Sequence, residues 1–292
     1  MSAYTDLSRP PLNQTALRRA LLRPGAVWRQ LSVVRRAAST NADLARAAAD
    51  GAPEGAVLVA EEQTSGRGRL DRQWVSPPQA GLTFSVLLRP SEPAPERGWP
   101  AAPASQHGWL PLLAGVALAD VARRMGKLDA TLKWPNDLLV DGRKCAGILA
   151  EAVPGVANGT GVARANGPAI VIGIGLNVST RADELPHTEA TSLALAGSAS
   201  VDREPLLKAL LREFAARYAD WRAAEGDPER SDLRADYTAL CDTVGREVRV
   251  ITPGSAEIAG TGVDIDAEGR LVVSRADGSR VTVAAGDVVH VR

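Results

Sequence analysis

The sequence predicts an α+β protein in two parts, a larger mixed body followed by a small β-barrel, and three observations predict it. Two long segments, Leu110 to Met125 and Glu204 to Trp221, carry apolar residues at helical spacing. Short apolar runs with the length and boundaries of buried strands lie before and between them. From about Gly245 the texture changes to short β-like runs divided by Gly-containing turns, the pattern of a small barrel. The expected boundaries are 1–26 for an N-terminal extension, 27–240 for the body and 241–292 for the tail.

Taken in order, residues 1 to 24 are rich in Arg and Leu with Pro10, Pro11 and Pro24, which leaves room for one helix, roughly Asn13 to Leu22. That is too short for a helix-turn-helix domain. Trp28 to Val34 reads as a strand running into Ser39-Thr40-Asn41. Thr40 or Ser39 caps a helix that continues through Leu44 to Ala49, with Asp43 three residues after Thr40 as in a capping box. Ala56 to Ala60 and Gly81 to Leu88 read as two core strands. Slung between them is Gly66 to Arg72, with Arg67, Arg69 and Arg72 in six residues and Trp74 just beyond. A guanidinium stays charged and its planar fork suits carboxylate or phosphate, while Gly66 and Gly68 let the backbone approach a ligand.

Arg89 to Gly108 is Pro- and Ala-rich and reads as an irregular connection to the first long helix. Lys133-Trp134-Pro135-Asn136-Asp137 follows that helix. Asp141-Gly142 then signals a tight hairpin, with Lys144 to Glu151 as the returning strand. Pro154 to Pro168 reads as a flexible insertion. Ala169 to Val178 is an apolar strand in which Gly173 and Gly175 mark the close approach of a backbone or ligand, and it ends in a polar Asn177. The tail offers strands at Glu247 to Ile251, Ile258 to Ile265, Leu271 to Arg275, Val281 to Ala284 and Val288 to Val291. Its turns are expected at Pro253-Gly254, Glu268-Gly269, Asp277-Gly278 and Gly286-Asp287.

Charge and cysteine usage narrow the function. The 34 basic and 34 acidic residues balance, which argues against a strongly basic nucleic-acid binder and makes the arginine loop a local feature. Two cysteines without C-x-x-C spacing and three scattered histidines suggest neither a disulfide scaffold nor a metal site of the protein's own. With no basic-then-apolar leader and no apolar run near the ~20 residues of a membrane helix, a cytoplasmic protein is expected.

The order and company of these stretches are specific. Ser39-Thr40-Asn41, Gln63-x-x-Gly-Arg-Gly-Arg with Arg72 and Trp74, Lys-Trp-Pro-Asn-Asp, Arg143-Lys144-x-Ala-Gly-Ile-Leu-x-Glu and Gly-x-Gly-x-Asn closely resemble the biotin protein ligase family over roughly Trp28 to Val178. The Gly-Asp-Val-Val ending fits as well. The resemblance implies a catalytic domain shaped like the class II aminoacyl-tRNA synthetases and an SH3-like C-terminal domain. It also implies the reaction: biotin and Mg·ATP give biotinoyl-adenylate, and the acyl group passes to a lysine of a biotin carboxyl carrier domain.

By the same resemblance Arg67 covers the biotin carboxylate, Arg69 the phosphates, and Lys144 lies between carboxylate and α-phosphate. Asp137 either holds Mg²⁺ or orients the carrier lysine. Ser39, Thr40, Asn41, Gln63, Gly66, Gly68 and Gly147 join Arg67, Arg69 and Lys144 on the biotin side. Arg72, Trp74, Lys133, Asn136 and Asn177 join Arg69 on the nucleotide side, and Trp74 and Trp134 are either ligand walls or ordinary core aromatics. Arg292 falls where some relatives place a nucleotide-reaching arginine. Leu70-Asp71 departs from the Arg-Gly of some relatives, which makes this loop less charged. Relatives that double as repressors carry an N-terminal helix-turn-helix domain, so specific DNA binding is not carried over. A monomer or weak homodimer is expected. Lipoate or octanoate attachment is the alternative within the same fold, and the pairing of Gly-Arg-Gly-Arg with Lys-Trp-Pro-Asn-Asp favours biotin.

Overall fold

The structure, a computed structural model, describes residues 8–70, 72–154, 167–252 and 256–291. The expected flexible insertion, the Pro253-Gly254 turn, Asp71 and Arg292 therefore lie largely or wholly outside the described residues.

Seven strands form one sheet: β1 (Gln30–Val34), β2 (Ala56–Ala60), β3 (Gly81–Leu88), β4 (Ala130–Lys133), β5 (Asp137–Val140), β6 (Arg143–Val153) and β7 (Ala169–Asn177). Their order is β1-β2-β3-β7-β6-β5-β4. The β1–β2 pair is parallel and every other pair antiparallel, so the sheet is mixed, as expected of the α+β class. The alternation of side chains along β3 divides the two faces. Leu82, Phe84, Val86 and Leu88 join the main core with α3 (Trp109–Gly126) and α4 (Arg203–Ala223), while Leu87 packs with Leu44 and Ala48 of α2 (Thr40–Ala49). Ser85 shares the α2 face, which proves important for the site.

The N-terminal helix α1 (Gln14–Leu21) is docked on the sheet edge. Its Leu17 and Leu21 are buried in the main core. Gln14 Oε1 accepts from Val33 N at 2.7 Å and Arg18 Nε donates to Leu31 O at 2.7 Å. These bonds occupy backbone groups of β1 that an uncovered edge strand would present to other chains.

Besides three single-turn 3-10 helices, two elements were not foreseen, β4 and the short helix α5 (Leu233–Leu240). Both are brief; α5 buries only Leu233, Tyr237 and Leu240, too little to establish a period. Arg234 at its start binds Ile265 O and Asp264 across the junction with the tail.

The tail is a five-stranded antiparallel sheet, order β11-β10-β9-β8-β12, from β8 (Glu247–Ile251), β9 (Glu257–Ile265), β10 (Leu271–Ser274), β11 (Arg280–Val283) and β12 (Asp287–His290). Gly286-Asp287, read from sequence as a turn, instead opens β12, with Asp287 opposite Ile251. The two sheets share one core. Trp109 Nε1 donates to Ala267 O at 2.8 Å and Trp134 Nε1 to Gly269 O at 3.0 Å, while Trp134 N donates to Thr243 Oγ1 at 3.0 Å. Leaving such a buried donor unmade costs about 1–3 kcal/mol. Of the two roles open to it, ligand wall or core aromatic, Trp134 thus takes the second, as a structural post between body and tail.

Candidate active site

A cleft of about 960 Å³ opens between the first half of β6, the later half of β7, the arginine loop and β12. Of the described residues assigned to the biotin or nucleotide side from the sequence, all line it except Gly66, which shapes the loop; Trp134 does not line it either.

Its inner end is polar and tightly wired. Ser39 caps α2, its hydroxyl accepting from Ala42 N. Gln63 Oε1 accepts from Thr40 N at 2.8 Å and from Thr40 Oγ1 at 3.0 Å. Ser85 Oγ lies 2.7 Å from Thr40 Oγ1 and 2.6 Å from Asn41 Oδ1, and Asn41 Nδ2 donates to Glu151 Oε2 at 2.7 Å and Leu149 O at 3.2 Å. Asn41 therefore spends both amide protons within the protein. Beyond Glu151 stands Arg67, with 3.8 Å between Nη1 and Oε1. Ser85 and Glu151 were not among the sequence candidates. The available signal was a pair of hydroxyl residues, Thr83 and Ser85, inside a mostly apolar β3 run, with Ser85 buried completely.

Glycines on β7 make room for this wiring. A Cβ on Gly173 would sit 2.1 Å from Asn41 Oδ1, and one on Gly175 2.3 Å from the Trp74 indole. Such separations are sterically forbidden, so the close approach predicted from the two glycines is real. Gly147, across the sheet from Gly175, also faces Trp74 and the Lys144 side chain.

The arginine loop is a small hairpin. Trp74 N donates to Gly66 O at 2.9 Å, Gly68 N to Arg72 O at 2.6 Å, and Arg67 pairs with Gln73. Gly66 must lack a side chain, because a Cβ there would lie 2.4 Å from Trp74 O. Arg69, at the turn, donates from Nη1 to Asn136 Oδ1 at 3.3 Å and to Gly286 O at 3.1 Å. Burial lowers the Arg69 pKa, against the raising effect of Asp137 and Asp287, but a guanidinium so far above neutrality keeps its charge.

Lys144 and Asp137 face each other across the β5–β6 hairpin, Nζ to Oδ1 2.7 Å. Asn136 Nδ2 binds Ile148 O at 3.0 Å, fixing Asn136 between that hairpin and Arg69. Asn177 is buried and donates to Thr191 O at 3.0 Å, securing the segment that runs beside Lys144. Lys133 lies on the tail side, close enough for its charge to act on Asp287 and His290. The tail also contributes Asp242, Arg246, Asp287 and His290 to the cleft, none of them foreseen. Burial first, and then Lys133, push the His290 imidazole below its ordinary value; His290 Nε2 is 3.1 Å from Thr243 Oγ1.

The biotin/lipoate A/B protein ligase family model matches residues 33–177, and the biotin protein ligase C-terminal domain model matches residues 243–291. The chain is 43% identical over 291 residues to the biotin–[acetyl-CoA-carboxylase] ligase of Mycobacterium tuberculosis, covering 98% of each. This chain belongs to the biotin protein ligase family. Among other biotin protein ligases, that of Aquifex aeolicus in complex with biotin and ATP superposes with a TM-score of 0.69 at 25% identity, over 91% of this chain and 100% of that one. The bifunctional ligase/repressor BirA of Escherichia coli is 34% identical over 225 residues, 76% of this chain and 62% of its own length.

Proposed function

We propose that this biotin protein ligase activates biotin with ATP and transfers it to a lysine of a biotin carboxyl carrier domain. A carboxylate oxygen of biotin attacks the α-phosphorus of ATP and pyrophosphate leaves. The carrier lysine, as the free amine, then attacks the acyl carbon and AMP leaves with the electron pair. The observation that carries this reading is the convergence of Lys144, Arg69 and Arg67 on one cleft beside a wired polar pocket. Two anions must meet in the first step, and fixed cations offset their repulsion and the charge of the transition state.

In this reading Thr40, Gln63 and Ser39 present the ureido-binding end, and Trp74 over Gly147 and Gly175 forms an apolar wall. Asn41 acts from behind, holding Ser85 and Glu151. Arg67 takes the carboxylate and then the adenylate. Arg69 takes the phosphates, with Lys133, Asn136 and Asn177 shaping the nucleotide end. Asp137, already against the Lys144 ammonium, orients amines: Lys144 during activation and the carrier lysine during transfer. Mg²⁺ enters on the phosphates as Mg·ATP. Residues 1–26, 27–240 and 241–292 remain our proposed divisions, with the tail serving the nucleotide end. Among the described residues no helix is long and apolar enough to cross a membrane, and we place the reaction in the cytoplasm, carried out by a monomer or weak homodimer.

The test is carrier labelling. With Mg·ATP and a biotin carboxyl carrier domain, labelled biotin is expected to become bound to the carrier lysine, while lipoate and octanoate are not. Labelling with octanoate in preference to biotin would overturn the substrate assignment, and no labelling of either kind would overturn the reaction.

A further inference from the structure

The arginine loop is fastened to the tail at two consecutive residues. Within the loop, Arg72 N donates to Arg69 O at 3.2 Å, so the two arginines are tied to each other. Arg69 reaches Gly286 O at 3.1 Å, and the Arg72 guanidinium meets the Asp287 carboxylate with both arms, Nη1 to Oδ1 3.2 Å and Nη2 to Oδ2 2.5 Å. The receiving end is rigid. Asp287 is in register with Ile251 of β8, and a Cβ on Gly286 would sit 2.5 Å from Val250 Cγ1, so glycine there lets the strand seat tightly with its carbonyl toward Arg69.

Arg72 was a nucleotide-binding candidate on sequence, but its guanidinium is committed to Asp287. We infer that Asp287 is a positioning residue: by gripping Arg72 it holds the turn that carries Arg69 over the nucleotide end of the cleft, so that retention of the adenylate depends on the tail. This inference rests on the ligase reading above. The grip is a two-armed, charge-assisted contact, which fixes direction as well as distance. It lies far along the loop from Gln63 and Thr40, which hold the pocket's inner end through bonds that do not involve the tail. Loss of the grip is therefore expected to separate the two halves of the site, weakening hold on ATP and adenylate and leaving biotin binding alone. Burial raises the Asp287 pKa, but Arg72, Lys133 and Arg69 together bring it below the usual 3.8, so the carboxylate is charged throughout the neutral range.

The test compares wild type, Asp287→Asn, Arg72→Gln and the double variant for three quantities: biotin affinity without ATP, KM for ATP, and the rate at which preformed biotinoyl-adenylate escapes. The expected result is an escape rate and KM for ATP raised about fivefold in each single variant, the scale of one partly exposed ion pair, with unchanged biotin affinity. The double variant should be no worse than either single one, because both remove the same contact. Unchanged escape in Asp287→Asn, additive effects in the double variant, or an equal loss of biotin affinity would each overturn the inference. Wild type failing to form adenylate would instead count against the ligase reading itself.

Discussion

Lys144 Nζ rests 2.7 Å from Asp137 Oδ1, so the cation assigned to the reacting centre is placed by a partner rather than left to sample rotamers. Gln63 works in the same way on the neutral end, one oxygen accepting both Thr40 N and Thr40 Oγ1. Gln63→Ala leaves those two donors unpaired and is expected to weaken biotin binding by about tenfold or more, the consequence of an unsatisfied buried donor; calorimetric titration with biotin alone checks this. His290 gives a pH prediction. Burial and then Lys133 hold its pKa below the ordinary 6.5, with Asp242 opposing and Arg246 reinforcing the shift. The unfolded chain thus takes up the proton first, and stability falls as pH drops below 6.5 until the folded-state value is passed. His290→Gln should flatten that part of the stability–pH curve in denaturant titrations; an unchanged slope would show that other groups set it.

At the scale of elements, β7 carries the clearest demand on sequence. Gly175 leaves room for the Trp74 indole and Gly173 for Asn41, each at a distance no Cβ tolerates. Gly175→Ala should therefore displace Trp74 from the cleft, lowering biotin affinity while the sheet still forms; retained affinity with unchanged tryptophan fluorescence would contradict the placement. Both glycines were legible in the sequence because they interrupt an apolar strand, and β2, β3 and β8 were legible to the residue because their ends are marked by glycine, proline or charge. Elements without such marks were not: β4 is a four-residue edge strand and α5 an eight-residue helix, each stabilised by what it packs against rather than by its own pattern. The site divided along the same line. Thr40, Gln63 and Lys144 sit in motifs whose own residue types point to a ligand, whereas Ser85 belongs to no motif, and Glu151 and Asp287, although inside the quoted motifs, take their roles from contacts with distant segments. Trp134 took the second of the two readings open to it, because an aromatic in a motif serves packing as readily as binding.

At the scale of the whole molecule, the tail is a structural part of the body as well as a wall of the cleft. Trp109 and Trp134 send their indole N–H groups to Ala267 and Gly269, and Val248, Val250, Ile265 and Leu271 belong to the same core as α3 and α4. Removing residues 243–292 would uncover both indoles and break that core, so a truncated chain should lose cooperative unfolding or aggregate, and the intact protein should unfold in one transition by calorimetry. Two well-separated transitions would contradict a shared core. All three scales converge on one claim, that two anions are joined in this cleft by cations fixed in place, Lys144 first among them. The most direct measurement is quenched single-turnover formation of biotinoyl-adenylate by wild type and Lys144→Ala, with folding monitored alongside. Adenylate is expected from the wild type, at a rate about 10²–10³-fold higher than from a folded Lys144→Ala variant, the scale of losing one preorganised charge at a reacting centre; adenylate formed at an undiminished rate by that variant would contradict the role given to Lys144.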